Sequence, residues 1–350
     1  MNKLLILSIF ILCFQKEIDC QIGGRYAYEF LNLPASARLT ALGGYLIGVA
    51  DEDINLAASN PVLLNKQMHN RISFSHNFHF SNIQNGYVVY GRHFEKWNVS
   101  TYFGVQYMDY GNFTYSDILG NQQGEFSVKE TAFTLGASKK VADRLSLGTN
   151  IKGVFSNLEA YSSIGLLADI GLSYFKDSTD QMVSIVIKNI GYELTSYTGT
   201  RFGTPFDIQI GFSKKLKYLP FRFSIIAHQL HRSNIRYDDP NSNAVTDIFG
   251  EPVTQSKLSQ SIDNVFRHLI FNGEFLLGKN QNLKLRAGYN HLRRKELSLT
   301  TFRSLAGFSL GLGLKIRSFK LDYGLGYYHS AGATNHITIS TNLGDFFKKI

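Results

Sequence analysis

Histidine is the residue type in this chain best suited to metal chemistry, and ten histidines are scattered along its 350 residues. Two pairs, His76 with His79 and His228 with His231, have their members three residues apart. Side chains alternate between the two faces of a strand, so residues three apart on a strand point to opposite faces. Neither pair can then bind one ion from the same face, and we expect no metal site.

Ser173 to Lys176 reads S-Y-F-K and matches the S-x-x-K pattern of penicillin-binding enzymes. That chemistry requires the serine at a helix start and a K-T-G motif elsewhere. Here the four residues end an alternating segment, and the sequence contains no K-T-G. Serine and histidine also occur in surface hydrolases built on barrels, but no distinguishing signature is present. We therefore expect a protein that is not an enzyme, with no catalytic residues and no cofactor.

The elements that carry these residues alternate strictly between apolar and polar side chains. From Arg71 to Phe80 the even positions are apolar, except for His76, and the odd positions are polar, which is typical of a strand with one apolar face. The pattern predicts about 14 strands, near residues 70–80, 84–94, 97–109, 124–139, 143–156, 161–175, 181–193, 204–216, 220–232, 264–278, 281–292, 302–317, 318–329 and 334–346.

Composition and loop lengths identify the kind of sheet. Charged residues make up 18% of the chain, which contains 31 Gly, 27 Phe and 19 Tyr at a mean hydropathy of -0.10. No apolar run approaches the roughly 18 residues that a membrane helix requires. Short charged turns alternate with longer loops at 110–123, 192–203, 233–263 and 292–301. Outer-membrane barrels have this alternation, so we predict an all-β protein, a 14-stranded antiparallel transmembrane β-barrel in the outer membrane. A two-sheet sandwich is the alternative.

The first twenty residues have the features of a secretory signal peptide. Lys3 precedes an apolar run of 11 residues from Leu4 to Phe14, and Cys20 offers a small residue for cleavage. Cys20 as a lipoprotein acceptor is the alternative, which acidic Asp19 disfavours. The formal net charge of +9 suits anionic lipopolysaccharide or an acidic partner, whereas nucleic acid is not expected outside the cytoplasm.

Residues 21–69 break the alternation and are predicted to form an N-terminal plug, followed by the barrel at 70–350. An acidic triplet, Asp51, Glu52 and Asp53, lies before a possible helical turn at 54–58. We expect the triplet to enter the barrel and pair with lumen-facing cations, although capping the turn is the alternative. The predicted cations are Arg71, Lys152, Lys188, Lys284, Arg286, Lys315 and Arg317.

The same segment resembles a known family. Ala41-Leu42-Gly43-Gly44, the run Val49 to Asp53, and Asn60-Pro61 with Leu64 are similar to the N-terminal signature of FadL-like outer-membrane barrels, with Val62 where that family usually has Ala. A closer resemblance is to the PorQ family of the type IX secretion system of Bacteroidota, which is related to PorV. The residues that carry it are Phe30 to Arg38, Leu42 to Gly44, Gly311 to Gly313, Leu321 to Tyr323 and His336-Ile337.

This resemblance implies a 14-stranded FadL-like barrel and a non-enzymatic role. PorQ-like barrels anchor a surface partner (PorZ-like) and act with PorU-like and PorV-like proteins to attach secreted cargo to lipopolysaccharide at the cell surface. Gly43, Gly44, Asn60 and Pro61, with the acidic triplet, are then structural plug residues.

The sequence is compatible with two functions. The long loop 233–263, with Ile248, Phe249 and Leu258, is the candidate partner-binding loop of a surface anchor, because long loops usually serve binding. The alternative is a FadL-like transporter of hydrophobic compounds across the outer membrane. Strongly polar lumen-facing positions argue against that alternative.

Overall fold

The computed structural model describes residues 26–236, 256–297, 305–329 and 332–347. Its strands close into a single antiparallel barrel in which each strand pairs with its neighbours in sequence and the first pairs with the last, which confirms the predicted fold. The strands are β1 Arg71–Phe78, β2 Gln84–Phe94, β3 Val99–Ser116, β4 Gln122–Ala142, β5 Leu145–Leu158, β6 Tyr161–Lys176, β7 Gln181–Thr195, β8 Asp207–Lys215, β9 Phe221–Ala227, β10 Leu269–Leu277, β11 Leu283–Asn290, β12 Phe308–Ile316, β13 Phe319–His329 and β14 Gly332–Asn342.

Helices are few and short. The α-helices are α1 Ala37–Ala41, α2 Leu56–Ser59, α3 Lys257–Arg267, α4 His291–Glu296 and α5 Gly344–Phe347, and 3-10 turns cover Glu29–Asn32, Pro61–Leu63, Lys66–Met68, Glu95–Trp97 and Asp177–Thr179. In the described ranges, no helix has the length and apolar character needed to cross a membrane.

The alternation of the strands separates the lumen from the lipid. On β6, Leu166, Ile170 and Leu172 are exposed, whereas Ser163 and Asp169 are buried on the other face. Exposed Phe, Leu, Ile and Val side chains follow the same outward parity around the barrel. Closure satisfies every ladder of backbone hydrogen bonds, so this surface can face hydrocarbon. The protein is an outer-membrane barrel.

The two ends of the barrel differ in the length of their connections. One end, here called the turn end, carries short connections such as 143–144 and 317–318. The other, here called the loop end, carries the long ones at 196–206, 228–268 and 291–307. Outer-membrane barrels place short turns in the periplasm and long loops outside. The loop end is therefore the extracellular end.

Several predicted strand boundaries were wrong. β9 ends at Ala227 rather than at residue 232, β12 begins at Phe308 rather than at residue 302, and two further differences have a clear physical reason. The predicted loop 110–123 is mostly strand, because β3 and β4 continue to a turn at 117–121 and Phe113 stacks on Phe126 across the hairpin at 5.4 Å. The strand predicted from residue 264 begins at Leu269, because 257–267 form α3. A helix that precedes a strand without a Gly or Pro between them gives little signal in an alternation pattern.

The N-terminal segment, defined here as residues 26–70, runs from the loop end to the turn end. Tyr26 bridges to Gly203 in the loop between β7 and β8, and Asn70 leads directly into β1. Inward glycines of the wall make room for its backbone. A Cβ on Gly148 of β5 would lie 2.5 Å from the Val62 nitrogen and 2.6 Å from the Pro61 carbonyl carbon.

This close approach predicts the effect of adding one methyl group. Gly148→Ala should loosen the N-terminal segment, because backbone atoms on both sides cannot retreat as a flexible side chain would. Limited proteolysis of the folded barrel should then cut within residues 26–70. Gly153→Ala on the same strand is the control, since its added Cβ meets nothing closer than 4.0 Å. Equal protection of both variants would contradict the packing described here.

Candidate functional site

The lumen wall holds the N-terminal segment by hydrogen bonds to its main chain. Gln106 of β3 donates to the Phe30 carbonyl at 2.8 Å, and Asn272 of β10 donates to the Tyr45 carbonyl at 2.9 Å. Ser309 of β12 donates to the Ala41 carbonyl at 3.0 Å. Further bonds come from Asn150, Ser138, Ser184, Ser213 and Tyr328. Buried irregular backbone requires such partners, and here they come from strands all around the barrel.

The glycine and Asn-Pro positions predicted as structural lie at turns of this segment. Gly43 and Gly44 have φ angles of 74° and 93°, which favour glycine, and the Gly43 N–H donates to Ser309 Oγ at 2.9 Å. Asn60 caps the 3-10 turn at Pro61 by accepting the Val62 N–H at 3.2 Å, and its amide also donates to the Ile47 carbonyl. Pro61 stands at the first position of the turn, where no N–H is needed.

A buried ion cluster centres on Arg38 of α1. Its guanidinium contacts Asp51 at 2.8 Å, Asp53 at 3.1 Å and Glu274 of β10 at 2.9 Å. Arg222 of β9 bridges Asp51 and Glu274 at 3.3 and 3.2 Å. The arginine, which is 1% exposed, thus joins three carboxylates from two parts of the chain. We call these residues, with Arg286 and Asp322, the Arg38 cluster.

The cluster extends into the wall and is accompanied by a second group. Arg286 of β11 contacts Glu274 at 3.0 Å and also pairs with Asp322 of β13. Closer to the turn end, Glu52 pairs with Arg71 and Lys320 and lies 3.6 Å from Lys315. All three acids of the triplet therefore contact cations inside the barrel.

Of the seven cations expected to pair with the acidic triplet, only some do so. Arg71 and Lys315 contact Glu52, and Arg286 reaches the triplet only through Glu274. Lys152 pairs with Asp169 instead. Lys188, Lys284 and Arg317 form no ion pair with the triplet in the part of the chain that the structure describes. The capping alternative also has support, because Asp53 accepts the Asn55 N–H at 3.1 Å.

Sequence reasoning missed four members of these groups: Arg38, Arg222, Glu274 and Lys320. A signal existed for Glu274, because it shares the inward parity of Ile270 and Asn272 on β10. Arg38 carries no such signal, since it lies in a short helix whose position in the lumen depends on the whole fold.

The sequence suggested that the lumen wall is polar throughout, but the structure shows apolar side chains in it as well. Nine buried inward side chains of β2 to β7 are apolar and pack on the N-terminal segment, although buried polar residues such as Glu130, Lys152 and Asp169 lie among them. We call these nine the apolar sector: Tyr87, Val89, Tyr102, Met108, Ala132, Val154, Leu167, Met182 and Val186. The charged positions used for the prediction lie mainly on β9 to β14 and β1. Side chains alternate between lumen and lipid on every strand. The alternation therefore identifies which residues face the lumen, but it does not tell whether the lumen-facing residues of a group of strands are polar or apolar.

The apolar sector includes a patch in the loop-end half of the lumen. Met108, Ala132, Val154 and Leu167 form it, and we call them the external patch. The first residues of the N-terminal segment cover it, with Tyr28, Phe30 and Leu31 buried against it. The segment thus occupies an apolar surface just inside the extracellular mouth.

A small cavity of about 30 Å³ lies between the segment and the wall. Leu31, Leu33 and Ala35 border it on one side, and Tyr87 and Tyr102 border it on the other. Its polar lining comes from Lys152, Lys188, Gln106, Gln209 and Thr134. It is therefore a mixed apolar and basic space beside the external patch.

The loop end carries the helix pair α3 and α4. Asp263 of α3 contacts Arg267 at 2.8 Å, His291 of α4 at 3.1 Å and Lys295 of α4 at 3.4 Å. Partial burial raises the pKa of Asp263, but hydrogen bonds from Arg267 and His291 and the nearby charges outweigh this and lower the pKa to about 2. Leu258 of the predicted binding loop lies exposed on α3, and Ile248 and Phe249 lie outside the described residues.

Some histidines lie near one another: the His69 ring accepts the His93 N–H at 3.0 Å, and the His268 ring contacts the His228 carbonyl at 2.8 Å. His336 contacts the Thr40 hydroxyl at 2.8 Å, and His228 stacks on Tyr45. Within the described ranges, no three His, Cys, Asp or Glu side chains are grouped so that they could hold a metal ion.

Comparison with known proteins identifies solved outer-membrane barrels that share this fold. No family model and no curated protein sequence matches the chain. Among solved structures, a TodX monoaromatic hydrocarbon channel mutant aligns with a TM-score of 0.51 at 12% identity, covering 88% of this chain and 97% of that one. The Pseudomonas putida toluene transporter TodX aligns at 0.50 and 12%, covering 88% and 96%. These likenesses show a shared FadL-type barrel fold.

The Arg38 cluster predicts how the segment responds to the loss of one carboxylate. Glu274→Gln leaves Arg38, Arg222 and Arg286 short of a shared counter-charge inside the lumen. Breaking a buried pair typically costs about 3–5 kcal/mol. The temperature at which the folded barrel unfolds on a gel should fall, and residues 26–70 should become protease-sensitive.

Glu95→Gln is the matched control for that experiment. Glu95 pairs with Lys66 at 3.6 Å on a side chain that is 80% exposed, and exposed pairs contribute about 0–1 kcal/mol. The control should unfold like the wild type. A Glu274→Gln barrel as stable and as protected as the control would contradict the structural role of the cluster.

The Asp263 contacts predict a pH dependence of the helix pair. Because the folded pKa is lowered, the stabilisation is complete above the ordinary carboxyl pKa of 3.8 and is lost as the pH falls towards 2. A spin label at Ser261→Cys, with Cys13 and Cys20 replaced, should be immobile at pH 6 and become mobile over that window. Adding Asp263→Asn should make the label mobile both at pH 6 and at about pH 2. A label whose mobility is unaffected by the pH change and by Asp263→Asn would contradict the stabilising role of the Asp263 contacts.

Proposed function

We propose that the protein is an outer-membrane transporter for small hydrophobic compounds, with the N-terminal segment as its plug. The external patch is the observation that carries this proposal. A protein that only needed to close its lumen could fill the mouth with polar side chains. Here an apolar wall surface lies just inside the extracellular opening, and the segment covers it with Tyr28, Phe30 and Leu31.

The route that we propose begins where the segment is held least firmly. Its ion pairs lie at Arg38 and beyond, whereas the described residues before Arg38 are held by apolar packing and hydrogen bonds. An apolar solute can replace packing of this kind, but it cannot replace a carboxylate. The solute would displace residues 26–35 from the external patch and occupy the space that they leave, while the Arg38 cluster holds the rest of the plug.

The comparisons support this class of function through the fold. Two solved barrels that align with this chain are named as a monoaromatic hydrocarbon channel and a toluene transporter. At 12% identity they establish architecture only, so the substrate class for this chain rests on the external patch.

A second candidate, the surface anchor of a PorQ-like attachment system, is favoured by the firm fixation of the plug. Many wall hydrogen bonds and the Arg38 cluster hold residues 36–70, which suits a scaffold that never opens. In this reading, PorZ-like, PorU-like and PorV-like proteins bind the loop end, and the loop with Ile248, Phe249 and Leu258 is the contact. The resemblance of the N-terminal motif is its main support.

Uptake measurements separate the two candidates. The chain is expressed in a strain that lacks its own hydrophobic-compound transporter, and entry of labelled toluene and of a labelled fatty acid is followed. Met108→Gln places an amide in the external patch and should reduce uptake several-fold. Met108→Leu keeps the patch apolar and should retain uptake.

The control for assembly is heat-modifiability of the barrel on gels, which should be the same for both variants. Wild-type uptake no faster than in cells without the barrel would reject the transporter. A pull-down from outer membranes that then recovers surface secretion proteins would favour the anchor.

A further inference from the structure

Helix α3 exposes its apolar face and binds the rest of the protein through its polar face. A helix that packs on a protein in water has the opposite orientation. Exposed residues Leu258, Ile262, Val265 and Phe266 recur at the spacing of one helical face, within an arc of about 100°. Their exposed fractions are 71%, 50%, 56% and 44%. A helix on a water-soluble surface turns such a face inward, so this one is oriented towards something other than water.

The opposite face of α3 is polar and is bound to the protein. Asn264 accepts the Ile235 N–H at 3.0 Å and donates to the Ser233 carbonyl at 2.8 Å. Asp263 holds Arg267 and, on α4, His291. These bonds fix the rotation of the helix about its axis, so the apolar face cannot turn inward without breaking them.

The apolar face is continuous with the lipid-facing surface of the barrel. Phe266 lies 6.4 Å, centroid to centroid, from Phe271, an outward residue near the loop end of β10. Beside it, the outward aromatic rings of Tyr289 and Phe308 are 4.8 Å apart. The helix therefore extends the hydrocarbon-facing band at the extracellular rim rather than standing above an aqueous loop.

The charge of the helix pair suits a lipid surface. Helices α3 and α4 carry five cations and two anions, but Arg293 donates to the Gly43 carbonyl in the lumen and Arg267 is buried against Asp263. The cations that remain at the surface are Lys257, Arg294 and Lys295, against Asp263 and Glu296. Amphipathic helices with an apolar face and nearby basic residues lie in the interface between headgroups and acyl chains. An excess of positive charge at this level complements anionic headgroups.

We propose that α3 is a lateral membrane anchor, which inserts Leu258, Ile262, Val265 and Phe266 into the outer leaflet beside β10. The occupant of the apolar face is lipid, and this assignment is independent of what the barrel transports. The anchor would hold the long connection between β9 and β10 against the membrane and leave the mouth of the lumen free.

Depth-dependent quenching tests this proposal in the full chain. Trp97 is the only tryptophan, so Trp97→Phe gives a silent background into which Ile262→Trp is introduced. The barrel is placed in nanodiscs that hold one molecule each and contain phosphatidylcholine and phosphatidylglycerol, with the phosphatidylcholine brominated either near the headgroup or near the chain end. Ile262→Trp should be quenched strongly, and more by bromine near the headgroup.

Two further positions calibrate the measurement. Phe275→Trp on the outward face of β10 should be quenched by lipids brominated deep in the chains. Lys257→Trp, which points away from the apolar face, should be quenched little. Leu258→Trp repeats the test at a second apolar position should Ile262→Trp fail to assemble, as judged by heat-modifiability.

An apolar-face tryptophan quenched no more than Lys257→Trp would overturn the proposal. If a second copy of the chain covers this face instead, neither brominated lipid should quench the tryptophan, and the protein should form a concentration-dependent dimer in detergent. The other alternative is a face covered by a surface protein. Either result rejects the lipid anchor and leaves the transport proposal untouched.

Discussion

The pairing of Arg38 with carboxylates from both the N-terminal segment and the barrel wall is the interaction on which the rest of the lumen depends. A guanidinium taken out of water is costly unless its donors are all matched by charge and geometry. Asp51, Asp53 and Glu274 supply those partners at 2.8–3.1 Å. Because two of the acids belong to the segment and one to β10, the pairing fixes where the segment lies along the wall.

Around this fixed point the lumen divides into two sectors with different physical roles. The charged sector, mainly β9 to β14 and β1, immobilises the middle of the segment. The external patch, which is the loop-end part of the apolar sector, packs on residues that no ion pair holds, including Tyr28 and Phe30. An apolar solute can compete with apolar packing but cannot replace carboxylates. In the proposed transport function, one end of the segment therefore yields while the other stays in place.

The amount that the sequence could predict follows from the range of the interactions involved. Alternation depends only on neighbouring residues, so the 14 strands, the two kinds of connection and lumen-facing residues such as Arg286 and Lys152 were predictable. The partners inside the lumen were not, because Arg38 meets Glu274 across 236 positions in the chain. The same limit hid α3, whose exposed apolar face reads like part of a strand when its surroundings are unknown.

The most direct test of this account is a pair of distance measurements by electron paramagnetic resonance on the folded barrel. Spin labels at Asn32 and Asn121 report the external part of the segment against the loop end, and labels at Gln67 and Lys217 report its far part against the turn end. With a compound that the barrel takes up, the account predicts that the first distance distribution shifts and the second does not. An unchanged first distribution at saturating concentrations of that compound would contradict the claim that this part of the plug gives way to hydrophobic solutes.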